Sequence, residues 1–254
     1  MRWTAWKSLM SRDSAWEQQA QAWVRFARSP EHDHFFWHFN GPRFLELVPP
    51  PGRLTLDVAC GEGRVGRLLH ERGHQVVGID ASRPLARMAH ESGGQSVVLG
   101  DAGALPLAAG CADLAIAFMS LQDVLDLDRA VGAVARVLEA GGRFCIAIAH
   151  PLRSAGGFHT KEAGSPFQLD SYFDTRPWNW SSQHTGMRLT LPGVHRPLEA
   201  YTRALQQGGF SLEVLREPRP TKHQVARYPE SARWLRIPCF LHLRAIKTNS
   251  SSSD

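Results

Sequence analysis

Three carboxylates and a glycine-rich turn carry the most legible chemistry in this 254-residue sequence. Asp57, Asp80 and Asp101 follow one another at intervals of 23 and 21 residues, and Gly61-Glu62-Gly63-Arg64-Val65-Gly66 lies just beyond the first of them. Such an interval is about one strand-helix unit, so each acid returns to the same edge of a sheet. A lone acid at a strand end is usually a helix cap or a surface residue. Three in register beside a glycine turn make a binding edge with a marked attraction for cations.

The turn is open to two readings. It matches G-x-G-x-x-G, and Asp80 stands near the distance expected of a ribose partner, which suits a nicotinamide-dependent oxidoreductase. Charge favours the other reading. The dinucleotide fingerprint rests a pyrophosphate on a helix N-terminus, where Glu62 would face two phosphates and Asp57 would add negative charge beneath them. At close range in an effective dielectric of about 20, that repulsion amounts to several kcal/mol. A ligand bearing an ammonium and a sulfonium is attracted instead, and S-adenosylmethionine is such a ligand.

The elements around these residues follow from periodicity. Ser14 with Glu17 forms a capping-box pattern, and Trp16, Ala20, Trp23 and Ala27 recur at helical spacing, so a helix is expected over 14–28, ended by Ser29-Pro30. A second aromatic run, Phe35 to Phe39, closes at Asn40-Gly41-Pro42; Pro49-Pro50-Pro51-Gly52 then ends an N-terminal helical cap, residues 1–52. From residue 53 strands and helices alternate. Strands are expected at 54–59, 75–79, 96–99, 113–118 and 143–149, and helices at 65–72, 84–90 and 127–138. This pattern predicts an α/β, doubly wound, Rossmann-like parallel sheet with helices on both faces, its core spanning 53–150. Residues 151–196, with Gly156-Gly157, Pro166, Pro177, Trp178, Trp180 and Pro192, break the rhythm and read as an insertion over the sheet. A helix at 198–207 and strands at 210–215 and 239–246 return to the core (197–247), and 248–254 reads as a disordered tail. Ligands of such sheets bind outside the carboxyl ends of the strands, and polar residues fall at each end: the 59–63 turn, Asp80, Asp101, Met119-Ser120 and His150.

Leu56-Asp-Val-Ala-Cys-Gly-Glu-Gly63, Val77-Gly-Ile-Asp80, Gly100-Asp-Ala102 before Leu105-Pro106-Leu107, and Val137-Leu-Glu-Ala-Gly-Gly-Arg143 stand in order over roughly residues 53 to 150. This set resembles class I S-adenosylmethionine-dependent methyltransferases, closest to the small-molecule, methyltransferase type 11-like branch. The resemblance implies seven strands with an antiparallel C-terminal edge. It implies Asp57 under the methionine ammonium, the backbone of Ala59, Cys60 and Gly61 along the methionine portion, and Gly63 in the same turn. Asp80 would accept both ribose hydroxyls, which suits a group with two acceptor oxygens and no donor, with Ala81 beside it. Asp101 would take the adenine amino group, the Ala102 amide a ring nitrogen, and Phe118 and Met119 would pack near the cofactor. Ala59 stands where many members carry a further glycine. The resemblance specifies cofactor and fold, not the methyl acceptor.

Since the donor is already activated, a base is needed only for an acceptor protonated at neutral pH. His150, at the end of the fifth expected strand, and His195, in Gly193-Val-His-Arg-Pro-Leu198, are the candidates; Tyr172 and Asp123 are further ones, and Asp123 equally suits a helix cap. His34 and His38 share a helix-face spacing, but without a third ligand no metal centre is expected. Trp23, Phe36, Trp37, Trp178 and Trp180 lie outside the alternating core, where they either pack or close as an aromatic lid over an indole-like or phenolic acceptor.

Composition narrows the class. An apolar share of 43% with 21% charged residues excludes a disordered chain, and no window reaches the roughly 18 apolar residues of a membrane span. The N-terminus lacks the apolar segment of a secretory signal, and four dispersed cysteines give neither a disulfide framework nor a zinc motif. A cytoplasmic protein, monomeric or homodimeric, is the expectation. The net charge of +5 invites nucleic acid, but 25 of the 29 cationic side chains are arginines scattered among 24 acids, and the densest stretch, Arg216 to Arg236, reads as a solvated loop face. The base-methylating nucleic-acid branches place Asn or Asp, then Pro-Pro and an aromatic, after the fourth strand; here Phe118-Met-Ser-Leu121 stands. A small-molecule partner, with neither nucleic acid nor membrane, is therefore expected. A non-catalytic cofactor-binding scaffold, an RNA or protein methyltransferase and the oxidoreductase remain the alternatives.

Overall fold

Runs of apolar, largely β-branched residues form the centre of one sheet. The computed structural model describes residues 12–184 and 187–248. The N-terminal section holds α1 (Arg12–Ala27), a π-helical turn (Phe36–Asn40) and α2 (Gly41–Leu45). The core then runs β1 (Thr55–Val58), α3 (Arg64–His70), β2 (Val76–Asp80), α4 (Arg83–Glu91), β3 (Ser96–Leu99), β4 (Ala112–Phe118), α5 (Leu127–Val137) and β5 (Leu138–Ala149). The insertion holds α6 (Pro151–Ala155) and two hairpins, β6 (Gly156–Phe158) with β7 (Phe167–Leu169) and β8 (Arg176–His184) with β9 (Met187–His195). The chain closes with α7 (Leu198–Gln207), β10 (Phe210–Arg216), α8 (Lys222–Arg227), a 3-10 turn (Pro229–Leu235) and β11 (Phe240–Lys247).

The sheet is ordered β10-β11-β5-β4-β1-β2-β3. β1 to β5 pair in parallel, and β11 runs antiparallel to both β5 and β10. This is the doubly wound, Rossmann-like sheet with an antiparallel C-terminal edge that the sequence predicts. Leu56, Val58, Ile79, Ile116, Phe144, Ile146 and Ile148 are buried, as expected of central strands covered on both faces. α5 shows the helical counterpart: Ala130, Val131, Val134 and Val137 face the core, and the Asp126 carboxylate caps its N-terminus by accepting from the Arg129 amide at 3.0 Å. Because β1 lies between β2 and β4, the strand order reverses there and opens a crevice at the carboxyl ends.

Several local expectations shift. α1 begins at Arg12, so Ser14 lies inside it instead of capping it. The aromatic run does not stop at Asn40; its π-turn passes directly into α2, where Pro42 occupies the first turn and its missing amide costs nothing. β5 starts at Leu138, which pairs with Ala112, five residues before the expected start. The insertion is mostly β-hairpin, and the basic stretch 216–236 folds into α8 and the 3-10 turn. Residues 249–254 of the expected tail, and residues 1–11, lie outside the described residues; Thr248 donates its amide to the Gly209 carbonyl.

Candidate functional site

The crevice deepens into a cavity of about 750 Å³ lined by Asp57, Asp80 and Asp101, the carboxylates expected on one rim. Asp80 ends β2; its Oδ2 accepts from the Gly61 amide at 2.7 Å and its Oδ1 from the Ser82 amide at 2.9 Å. It thereby ties the glycine turn to the start of α4. Asp57 is buried beneath the turn, and its Oδ2 has no hydrogen-bond partner. Burial, then the charges of Asp80 and Glu62, push its carboxyl up to about 7 against the opposing Gly66 amide and Arg67. Burial also raises Asp80, against the two amides that it accepts, and raises the Cys60 thiol well above its ordinary value. Burial and mutual repulsion thus outweigh the amides and the Arg67 charge that favour the ionised acids. Asp101 accepts from the Gly103 amide at 2.8 Å.

The turn itself is made by backbone that approaches closely. Gly61 and Gly63 have φ of 59° and 81°, and a Cβ at Gly63 would come within 2.3 Å of Gln95 Nε2. Ala59 also sits at a φ of 54°, a left-handed conformation that costs a non-glycine residue about 1 kcal/mol or more. Met119, at the end of β4, shares it with a φ of 54°. Both strained residues line the cavity, as do Cys60, Gly61, Ala81, Ala102 and Phe118; Gly63 does not, and serves as the residue before α3.

Glu62 behaves differently from the expectation of a free charge. It is buried, with Arg67 Nη2 at 2.7 Å and Arg28 Nε at 2.8 Å from its Oε2. Two guanidiniums neutralise it, so the negative potential of the rim comes from Asp57 and Asp80. Arg64, in the same turn, is buried and lines the cavity: its Nη1 lies 2.6 Å from Asp33 Oδ2 and its guanidinium 3.7 Å from the Phe36 ring centroid. This pins the N-terminal section over the site.

Of the four acid-base candidates only Asp123 lines the cavity. It follows β4, with Gln122 as a distant side-chain partner at 3.5 Å, and desolvation holds its carboxyl well above the usual range against the Arg196 charge. His150 faces away from the cavity. Its Nδ1 accepts from the Leu152 amide at 3.1 Å, capping α6, and its Nε2 lies 2.9 Å from Glu217 Oε1. His195 is fully buried: Nε2 donates to the Tyr172 carbonyl at 2.9 Å, leaving Nδ1 to accept from the Ser154 hydroxyl at 2.7 Å. Tyr172 accepts from the Leu198 amide at 3.1 Å and so anchors α7. Burial lowers both histidines. These three side chains join the insertion to the core rather than facing the cavity. Arg196 does the same through the Val124 and Leu125 carbonyls at 2.6 and 2.9 Å.

Of the aromatics expected to pack or form a lid, Trp23, Phe36, Trp178 and Trp180 line the cavity and Trp37 does not. Trp23 packs 5.7 Å from Phe26 and 6.4 Å from Trp180, joining α1 to β8 in the cavity wall, and the Thr190 amide donates to Gln19 Oε1 at 2.9 Å. Sequence reasoning missed the rest of the walls: Trp234 and Phe240 line the far side with Arg153 and Arg233. The signal for that side lay in the basic, aromatic stretch before β11, whose composition alone resembles a solvated loop.

Residues 56–146 match the family model described as a methyltransferase domain. A malonyl-[acyl-carrier protein] O-methyltransferase of Pectobacterium atrosepticum is 32% identical over 125 residues, 48% of this chain and 49% of that protein. A demethylmenaquinone methyltransferase of Thermobifida fusca is 38% identical over 101 residues, 37% of this chain and 43% of that one. The chain thus spans about half the length of the curated relatives it matches. A solved S-adenosylmethionine-dependent methyltransferase from Mesorhizobium loti superposes with a TM-score of 0.71 at 27% identity, covering 87% of this chain and 99% of that one.

Proposed function

From a chain that carries a class I S-adenosylmethionine-dependent methyltransferase domain, with S-adenosylmethionine as its cofactor, we propose that the protein transfers a methyl group to a small aromatic or heteroaromatic acceptor, at N, O or C. One observation carries the reading: a single cavity joins the carboxylate rim to an aromatic-walled compartment, with Asp123 lining it after β4.

The rim fits the cofactor. An unpaired buried oxygen of Asp57 beside Asp80 suits an ammonium held directly or through water, and Asp80 keeps lone pairs for ribose hydroxyls after accepting two amides. When bound, the cofactor supplies an activated methyl on a sulfonium. The chain's own residues must then align the acceptor, exclude water and, for a protonated nucleophile, take a proton. Trp178, Trp180, Trp234 and Phe240 suit a flat apolar body. Asp123 suits the proton: it lines the cavity and desolvation raises its carboxyl, whereas His150 and His195 lie outside the lining and spend their ring nitrogens on structural bonds.

The oxidoreductase alternative loses its charge argument at Glu62 but still meets Asp57 and Asp80. Among the described residues no helix is long and apolar enough to cross a membrane, all four cysteines are free, and Arg233, from the basic stretch before β11, lines the cavity. The relatives' acceptors, a malonylated carrier protein and a quinone precursor, differ enough that neither is carried over.

The test uses S-adenosylmethionine with a deuterated methyl and a panel of phenols, indoles and aromatic acids, read by mass spectrometry. Product carrying the label, with formation lost or reduced about 100-fold in Asp123→Asn, is the expected result. Label transfer unaffected by Asp123→Asn would remove the base, and no transfer to any acceptor would count against the reaction.

A further inference from the structure

The cavity is electrically polarised along the sheet edge. Asp57, Asp80 and Asp101 stand at the ends of β1, β2 and β3, on one side of the strand order, while Arg153 follows β5 and Arg233 precedes β11, on the other. Both arginines lean on the same indole: their guanidinium carbons lie 5.2 and 5.4 Å from the Trp234 ring centroid. Arg153 also lies 5.3 Å from the Phe240 ring and 6.0 Å from that of Trp178.

Neither guanidinium forms an ion pair among the described residues. Arg153 donates to Cys239 Sγ at 3.1 Å, a thiol that burial pushes up to about 11 and thus keeps neutral. Arg233 donates to the Thr160 carbonyl at 3.2 Å, and its Nε is buried without a partner. Burial, and next the charge of Arg153 beside it, lower the affinity of Arg233 for its proton. The acid nearest in the chain, Glu230, also lines the cavity and lies 3.2 Å from His34 Nε2; its charge opposes that lowering without forming an ion pair with Arg233. Structural arginines are ordinarily paired. An unpaired couple with planar, forked donors facing a cavity is the arrangement that captures a carboxylate or phosphate.

We infer that Arg153 and Arg233 form an anion subsite, so that the acceptor is an aromatic acid or phosphate whose ring lies among Trp178, Trp234 and Phe240. The inference rests on the proposed acceptor compartment and narrows its substrate class. The cationic cofactor and the anionic acceptor thereby enter opposite ends of one cavity, and the field orients each against entry at the wrong end.

The protein saturated with S-adenosylhomocysteine is titrated with naphthalene-2-carboxylate, naphthyl phosphate and naphthalene-2-carboxamide, read by tryptophan fluorescence. At least one anion binds about tenfold or more tightly than the amide, and Arg153→Gln and Arg233→Gln each remove that preference while S-adenosylhomocysteine affinity stays unchanged. Carboxylate against phosphate identifies the anion. Arg233→Glu, folded by the same cofactor-affinity criterion, loses the anions and gains naphthylmethylamine. Equal binding of the amide, binding of none of the three, or unaltered anion affinity in the variants would overturn the subsite. A loss of S-adenosylhomocysteine affinity in the arginine variants would assign them to the cofactor instead. Failure of the Asp57 and Asp80 rim to bind S-adenosylhomocysteine is read separately and strikes the methyl-donor reading alone.

Discussion

Asp57, raised by burial like Asp80 and Asp123, couples the site to pH. Its folded-state value of about 7 exceeds the ordinary 3.8, so the folded protein retains a proton that the unfolded chain has lost between these values. Stability from this group is therefore present at low pH and falls as pH rises from about 4 to 7. Asp57→Asn should raise the melting temperature by roughly 5 °C at pH 8 and leave it nearly unchanged at pH 4, measured by calorimetry. A cationic ligand favours the ionised carboxyl, so affinity for S-adenosylmethionine should rise from pH 6 to 8, and the same variant should flatten that rise. Asp80→Ala, which deletes the acceptor proposed for the ribose and also frees the Gly61 and Ser82 amides, should weaken cofactor binding by roughly 100-fold. The rim was legible because strand-end acids recur with the length of a strand-helix unit. Arg153 and Arg233 were not, since a cation facing a cavity and a cation facing water have the same sequence. His150 and His195 misled for a related reason: position along the chain marks the end of a strand, but not which way a ring turns.

At the scale of elements, the parallel core was legible almost residue by residue; β3 and α7 match the expected spans of 96–99 and 198–207. Hydrophobic periodicity carries that information, and glycines mark the turns. The insertion was legible only as an interruption. β8 does alternate, with half-buried Trp178 and Trp180 between exposed Pro177, Asn179 and Ser181, but the prolines and tryptophans of the insertion read instead as a break in the rhythm. Its contact with α1 through Trp23, Phe26 and Trp180 forms part of the cavity wall. Trp180→Ala should speed S-adenosylhomocysteine dissociation by about tenfold in stopped-flow fluorescence while shifting the melting temperature little, since a lid contact is drawn from the less stable part of a fold. Ala59 tests the turn. Ala59→Gly should leave stability within about 1 kcal/mol of the parent, relief of the left-handed strain offsetting the added freedom of the unfolded chain, whereas Ala59→Val should cost more than that in denaturant melts.

The molecule as a whole is a sheet whose strand order sorts charge: acids beside β1 to β3, arginines beside β5 and β11, and Asp123 after β4 between them. Its net charge of +5 says little about this, because the sum hides the separation. The central claim is that the acidic half holds a cationic nucleoside and rejects an anionic one. Titration calorimetry at pH 8 with S-adenosylhomocysteine and with NADH tests it most directly. The account predicts micromolar or tighter binding of the first, weakened about 100-fold in Asp80→Ala, and no measurable binding of the second; tight NADH binding with S-adenosylhomocysteine inert would contradict it.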